Sequence, residues 1–133
     1  MKPRFISAPE LYAAAPYEYA AVAERGALVF AAGACPLDGA GTVVAPGDYE
    51  EQMRQALANL RVALEAAGSS FDRVLKTTVY VVAADGDELV RSWRVVESAF
   101  APARPPSTLL GVARLGYPGQ LVEIEAVAIA DER

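Results

Sequence analysis

Arg73-Val74-Leu75-Lys76-Thr77-Thr78-Val79-Tyr80-Val81-Val82-Ala83-Ala84 is the stretch on which the fold turns. β-Branched and aromatic residues dominate it, and apolar side chains fall on both alternating faces, as in a central strand covered on each side. On its N-terminal side Met53, Ala56, Leu57, Leu60, Ala63, Leu64 and Ala67 recur at the spacing of one helical face. Asp48 occupies the place of an N-cap acceptor and Gly68 supplies the stop. On its C-terminal side Asp85-Gly86-Asp87 offers capping acids, and Leu89, Trp93, Val96 and Phe100 form a second apolar stripe. Pro102, Pro105 and Pro106 close that helix, because proline lacks the amide proton that the helical ladder needs.

Farther out, residues 18–24 and 27–35 read as strands joined by a tight turn at Arg25-Gly26, which predicts a β-hairpin. Asp38-Gly39-Ala40-Gly41 and Pro46-Gly47-Asp48 mark an irregular interval. Residues 107–115 and 121–130 read as two further strands, joined by a Tyr117-Pro118-Gly119 turn. The resulting order predicts an α+β fold: a mixed β-sheet with two helices packed on one face. In the last strand Glu123, Glu125, Val127 and Ile129 alternate with Val122, Ile124, Ala126 and Ala128, and beyond Ala126 both faces are apolar. So short a chain finds its second cover most simply in another copy of itself, so self-association is expected.

A chain of 133 residues suits one domain. Its 53% hydrophobic content sets it far from the low hydrophobicity of disordered chains. Apolar runs such as residues 79–84 and 109–112 fall well short of the roughly 18 to 20 residues that span a bilayer, so no membrane partner is expected. Met1-Lys2-Pro3-Arg4 does not lead into the apolar core of a signal peptide, and Cys35 has no second cysteine to pair with; both features point to the cytoplasm. A net charge of −5 opposes nucleic-acid binding. Histidine is absent, which removes the usual general base, the common nucleophile pairs and the commonest zinc ligand. No metal site is expected, and chemistry falls to carboxylates, tyrosine, backbone groups and water.

Four segments then point to a family: Gln52 and Asn59 within Gln-Met-Arg-Gln-Ala-Leu-Ala-Asn-Leu, the helix end Ala66-Ala67-Gly68, Val74-Leu75-Lys76-Thr77-Thr78-Val79-Tyr80, and Val122-Glu123-Ile124-Glu125-Ala126-Val127-Ala128. Together they resemble the RidA/YjgF family over nearly the whole chain, from about Pro16 to Ile129. The resemblance implies a chorismate-mutase-like fold, a homotrimer with a β-rich centre, and small-molecule clefts between subunits. The best-known members hydrolyse reactive enamines and imines to 2-oxo acids and ammonia, with no metal or organic cofactor. In them a tyrosine lies near the N-terminus, an arginine in a Pro-Ala-Arg-Ser motif grips the substrate carboxylate, and a glutamate near the C-terminus positions the attacking water.

Tyr17 and Glu123 match the tyrosine and the glutamate of that pattern. The arginine has two registers. Arg104 in Pro102-Ala103-Arg104 looks like the motif, but taking it inserts three residues before Val112-Ala113-Arg114-Leu115, inside an expected strand. Even one extra residue there needs a bulge or reverses every facing that follows. Without the insertion Pro105-Pro106-Ser107-Thr108 replaces the motif and Ser107 takes the arginine position, which is the favoured register. Ala32 and Trp93 also stand where deaminating members carry serine and asparagine. The carboxylate grip is thus expected to be dismantled, since a hydroxyl replaces neither the charge nor the paired bonds of a guanidinium.

Each candidate has a plain alternative. Glu123 is the candidate catalytic residue, a carboxylate holding water as general base or acid; otherwise it pairs across a subunit boundary. Glu125 on the same face equally suits a basic partner. Tyr17, Ser107, Thr108 and Trp93 are candidate ligand contacts, or ordinary packing and strand-start residues. Arg104 and Arg114 are candidate substitute anion sites, or surface ion pairs. Cys35, with no histidine to activate it, reads as a small buried hydrophobe. The leading expectation is a metabolite-binding protein that hydrolyses an imine or enamine with Glu123 and water. The alternative is a non-catalytic metabolite-binding or interaction protein on the same trimer. The ribonuclease label attached to parts of the family is disfavoured by the acidic charge and the missing histidine.

Overall fold

The structure, a computed structural model, describes residues 2–131. Helix α1 (Tyr49–Ala66) begins where the sequence places its cap, with the Asp48 carboxylate accepting from the Glu51 amide at 3.0 Å. It ends at Gly68, whose φ of 78° lets the Ser69 amide turn back to the Leu64 carbonyl at 2.8 Å. The buried stripe is Gln52, Met53, Ala56, Leu57, Leu60 and Leu64. Ala63 and Ala67, expected on it, are exposed, and the polar Gln52 is inside. Helix α2 (Gly86–Phe100) is likewise capped by Asp85, which accepts from the Glu88 amide at 3.2 Å. It buries Ser92, Val96 and Phe100 while Leu89 and Trp93 are half-buried.

The main sheet has the order β3 (Ala27–Phe30), β6 (Val122–Ala130), β4 (Val74–Val81), β5 (Ser107–Gly111). β6 runs antiparallel to both β3 and β4, while β5 runs parallel to β4. A parallel neighbour needs a crossover, and α2 supplies it. Alternation along β6 and β4 sends Val122, Ile124, Ala126, Ala128, Val79 and Val81 against the helices, where they meet Met53, Leu57, Leu60, Leu64, Val96 and Phe100. The opposite face carries Glu123, Glu125, Val127, Tyr80 and Thr108, with Leu28, Phe30 and Leu110 at 55%, 73% and 41% exposure. The expected mixed sheet with two helices on one face is therefore present, and its other face is open.

Three local expectations are corrected. Residues 18–24 and 27–35 do not form a hairpin. β2 (Ala20–Val22) pairs instead with an unforeseen strand β1 (Arg4–Ile6), and β3 pairs with the end of β6. The apolar end of β6, from Ala126 to Ala130, gains more by pairing with β3 than a local turn at Gly26 could offer. Tyr117-Pro118-Gly119 does turn, but β5 ends at Gly111 and β4 lies between β5 and β6, so no hairpin results. β4 spans Val74–Val81 rather than residues 73–84, and within one chain its Lys76, Thr78 and Tyr80 face is only half covered.

Candidate functional site

Glu123 projects from β6 on the uncovered side of the sheet, opposite Tyr80 of β4. An isolated bridge pairs Ala34 with Ile124, through bonds of 2.7 and 3.2 Å, and so sets Gly33 and Cys35 beside the carboxylate. Glu123 Oε1 accepts from the Cys35 thiol at 3.3 Å and from Gln120 Nε2 at 3.1 Å. Oε2 lies against bare backbone: a Cβ on Gly33 would come within 2.2 Å of it. Glycine is needed here for close approach, not for an unusual φ.

Both donors are themselves held. Burial, then the bond to Glu123 and its charge, pushes the Cys35 thiol up to about 11, so it remains a protonated donor at neutral pH. Asn59 Nδ2 donates to the carbonyls of Cys35 and Leu37 at 2.8 and 2.9 Å. Gln120 is buried, accepting from the Tyr117 amide at 3.2 Å and donating to the Val122 carbonyl at 3.0 Å. The fully buried Gln52 brackets it, donating to the Gly119 carbonyl at 3.1 Å and accepting from the Leu121 amide at 2.8 Å. Gln52 and Asn59 are two turns apart on one face of α1, so a single helix pins both segments around Glu123.

Glu125 finds a tyrosine rather than a basic partner: the Tyr80 hydroxyl donates to its Oε1 at 2.5 Å. That bond, with burial and the nearby carboxylate charges, raises the Tyr80 pKa.

A second feature lies apart from Glu123. Pro16, Tyr17, Trp93, Ser107, Thr108 and Leu109 line a pocket of about 420 Å³, which brings together four of the predicted ligand contacts. Thr77 donates to the Ser107 hydroxyl and Lys76 Nζ to the Thr108 hydroxyl, each at 2.6 Å. The indole Nε1 of Trp93 is buried with no acceptor among the described residues. Arg104 is outside this lining; its Nη2 sits 3.4 Å from Glu18 Oε1, and its side chain borders a much smaller neighbouring cavity. Arg114 is exposed, belongs to neither lining and makes no ion pair among the described residues. Glu123 does not line the pocket either, so one chain presents the predicted residues as two separate groups.

Sequence reasoning missed Gly33, Gln120, Asn59 and Gln52 as parts of the site, and it misread Cys35. The thiol is half-buried and donates to a carboxylate instead of packing as a hydrophobe. The signal available was Gly33 and Cys35 at period two, opposite a strand bearing an acid. Among the described residues no cluster of three or more metal-ligating side chains occurs, and no helix is long and apolar enough to cross a membrane.

Fold and site together define a class: a small α+β protein of two helices on a mixed sheet, with an anchored carboxylate on the face left open. Residues 7–130 match the family model described as Endoribonuclease L-PSP. A RutC family protein of Pyrococcus horikoshii is 34% identical over 110 residues, 83% of this chain and 85% of that one. A Mus musculus protein named 2-iminobutanoate/2-iminopropanoate deaminase is 34% identical over 114 residues, 86% of this chain and 81% of its own. The crystal structure of YyfB from Yersinia pestis, a Rid-family protein of unknown function, matches with a TM-score of 0.89 at 29% identity, covering 97% of this chain and 99% of that one. The chain belongs to the RidA/YjgF family, the group which that family model describes as endoribonuclease L-PSP.

Proposed function

We propose that the protein is a cytoplasmic homotrimer that binds a small metabolite in clefts shared between subunits and hydrolyses an imine or enamine, with Glu123 activating the water. The observation that carries this reading is the Glu123 carboxylate itself: two donors occupy Oε1, and Oε2 carries no hydrogen bond among the described residues. A water at Oε2 gives up a proton as its oxygen attacks the carbon of the N-protonated C=N, forming a neutral carbinolamine. Oε2 returns that proton to nitrogen, and as the C–N bond breaks and ammonia leaves, the carbinolamine hydroxyl gives its own proton to Oε2 and becomes the carbonyl. The protein needs to supply one proton acceptor that becomes the proton donor.

The shared cleft is supported by the separation of Glu123 from the pocket of Tyr17, Trp93, Ser107 and Thr108. A second copy packed on the open face, where Leu28, Phe30 and Leu110 are exposed, would bring the two groups together. The pairing of β5 with β4 is unbroken from Ser107 to Gly111, which favours the register in which Ser107 takes the arginine position. Arg104 already faces Glu18. The substrate class is therefore an imine whose recognition does not depend on a carboxylate.

Ammonia release from 2-iminopropanoate, made in situ by an amino-acid oxidase, is to be compared with release from a matching imine that lacks the carboxylate. The expected result is preference for the neutral imine, with both rates unchanged in Arg104→Ala. A preference for 2-iminopropanoate that Arg104→Ala abolishes would overturn the register. Among the described residues no guanidinium lines the pocket, which also favours a second reading, passive binding of a neutral metabolite. Saturable binding of the neutral imine without turnover would establish it.

A further inference from the structure

We propose that Cys35 and Gln120 are positioning residues for Glu123, a thiol and an amide that both donate to Oε1 and so reserve Oε2 for the proton taken from water. The inference rests on the hydrolytic reading of Glu123 and adds two residues to it.

A carboxylate on a strand facing an open surface has no fixed orientation, because its terminal torsion is broad. Here three constraints act on it. Cys35 Sγ and Gln120 Nε2 approach the same oxygen at 3.3 and 3.1 Å. Gly33 lets the carboxylate lie where a Cβ would meet Oε2 at 2.2 Å. Neither donor is free to swing away, since Gln120 is tied to Tyr117 and Val122, and Asn59 ties the backbone of Cys35. With the lone pairs of Oε1 engaged, the proton from water goes to Oε2. The thiol suits this task because it holds its proton at neutral pH. It therefore contributes a neutral donor and no second charged base to compete for the proton.

Two measurements test this. The first is the alkylation rate of Cys35 with iodoacetamide at about pH 8.5, in wild type and in Glu123→Gln. Loss of the carboxylate charge should lower the thiol pKa, raise the thiolate fraction and speed alkylation by about three- to tenfold. The second is steady-state imine hydrolysis by Cys35→Ala, Cys35→Ser and Gln120→Leu. Cys35→Ala and Gln120→Leu should each lower kcat by about tenfold with KM unchanged, the size of one charge-assisted bond lost from a half-exposed carboxylate. Cys35→Ser, which keeps a donor, should restore most of the rate. A purely packing role predicts that serine is no better than alanine, and that result overturns the proposal. So does an alkylation rate unchanged by Glu123→Gln. If wild type hydrolyses no imine, the hydrolytic reading falls and takes the positioning role with it. Unchanged alkylation alongside intact hydrolysis removes the positioning role alone.

Discussion

Replacing Gly33 by alanine should leave the fold nearly intact and disable the site. The added Cβ would lie 2.2 Å from Glu123 Oε2, 2.7 Å from its Cδ and 3.1 Å from its Cγ. Unstrained heavy-atom contact is about 3.5 Å, so the carboxylate must retreat by more than about 1 Å. Its bonds to Cys35 and Gln120, at 3.3 and 3.1 Å, have little slack before they cease to be hydrogen bonds. The displaced group is the end of a flexible, half-exposed side chain, and water can solvate it in its new position. The stability cost should therefore stay near about 1 kcal/mol, or about 3 to 5 °C in Tm for a domain of this size. A misplacement of about 1 Å at the reacting group lowers the rate by about 100-fold, which is about 2.7 kcal/mol of barrier. Thermal unfolding and imine hydrolysis measured on the same Gly33→Ala sample decide the matter. A kcat within about threefold of wild type would show that the carboxylate orientation is irrelevant. A collapse in Tm would show instead that Gly33 serves folding.

Gln52→Leu should cost about 1 to 3 kcal/mol, because the fully buried amide is the partner of the Leu121 amide and of the Gly119 and Ala45 carbonyls; a shift in denaturant midpoint with unchanged slope measures it. Cys35 should add an alkaline limb to stability. Its folded pKa of about 11 exceeds the reference value of 9.0, so its contribution is whole below about pH 9 and is lost as pH rises through about 11. Wild type should accordingly lose more stability over that window than Cys35→Ala, and identical slopes would contradict the assignment. Phe30→Asp places a charge on the open sheet face, where the side chain is 73% exposed in one chain. It should yield a folded monomer in analytical ultracentrifugation, whereas an unchanged mass would remove this face from the assembly.

The helices and the central strand were legible because their signals are local. Asp48 and Asp85 cap in the expected places, and Gly68 ends α1 through its positive φ. The pairing of strands was not legible, since register and neighbour choice depend on residues far away in the chain. The turn at Gly26 suggested a hairpin, yet β3 belongs to β6, about a hundred residues on. Of the six ligand contacts that the sequence suggests, Tyr17, Trp93, Ser107 and Thr108 line one pocket, whereas Arg104 and Arg114 do not join it. The partners of Glu123 escaped notice for the same reason as the pairing. Cys35 and Gln120 meet only because a bridge between Ala34 and Ile124 closes over an interval of 90 residues, and two amides of α1 hold the edges.

The most direct measurement is ammonia release from a neutral imine by wild type and by Glu123→Gln, side by side and above the spontaneous rate. Removing the proton acceptor should reduce turnover by about 100- to 10,000-fold while binding of the imine persists. Equal rates in the two proteins would contradict the account, because the water would then be activated by some group other than Glu123.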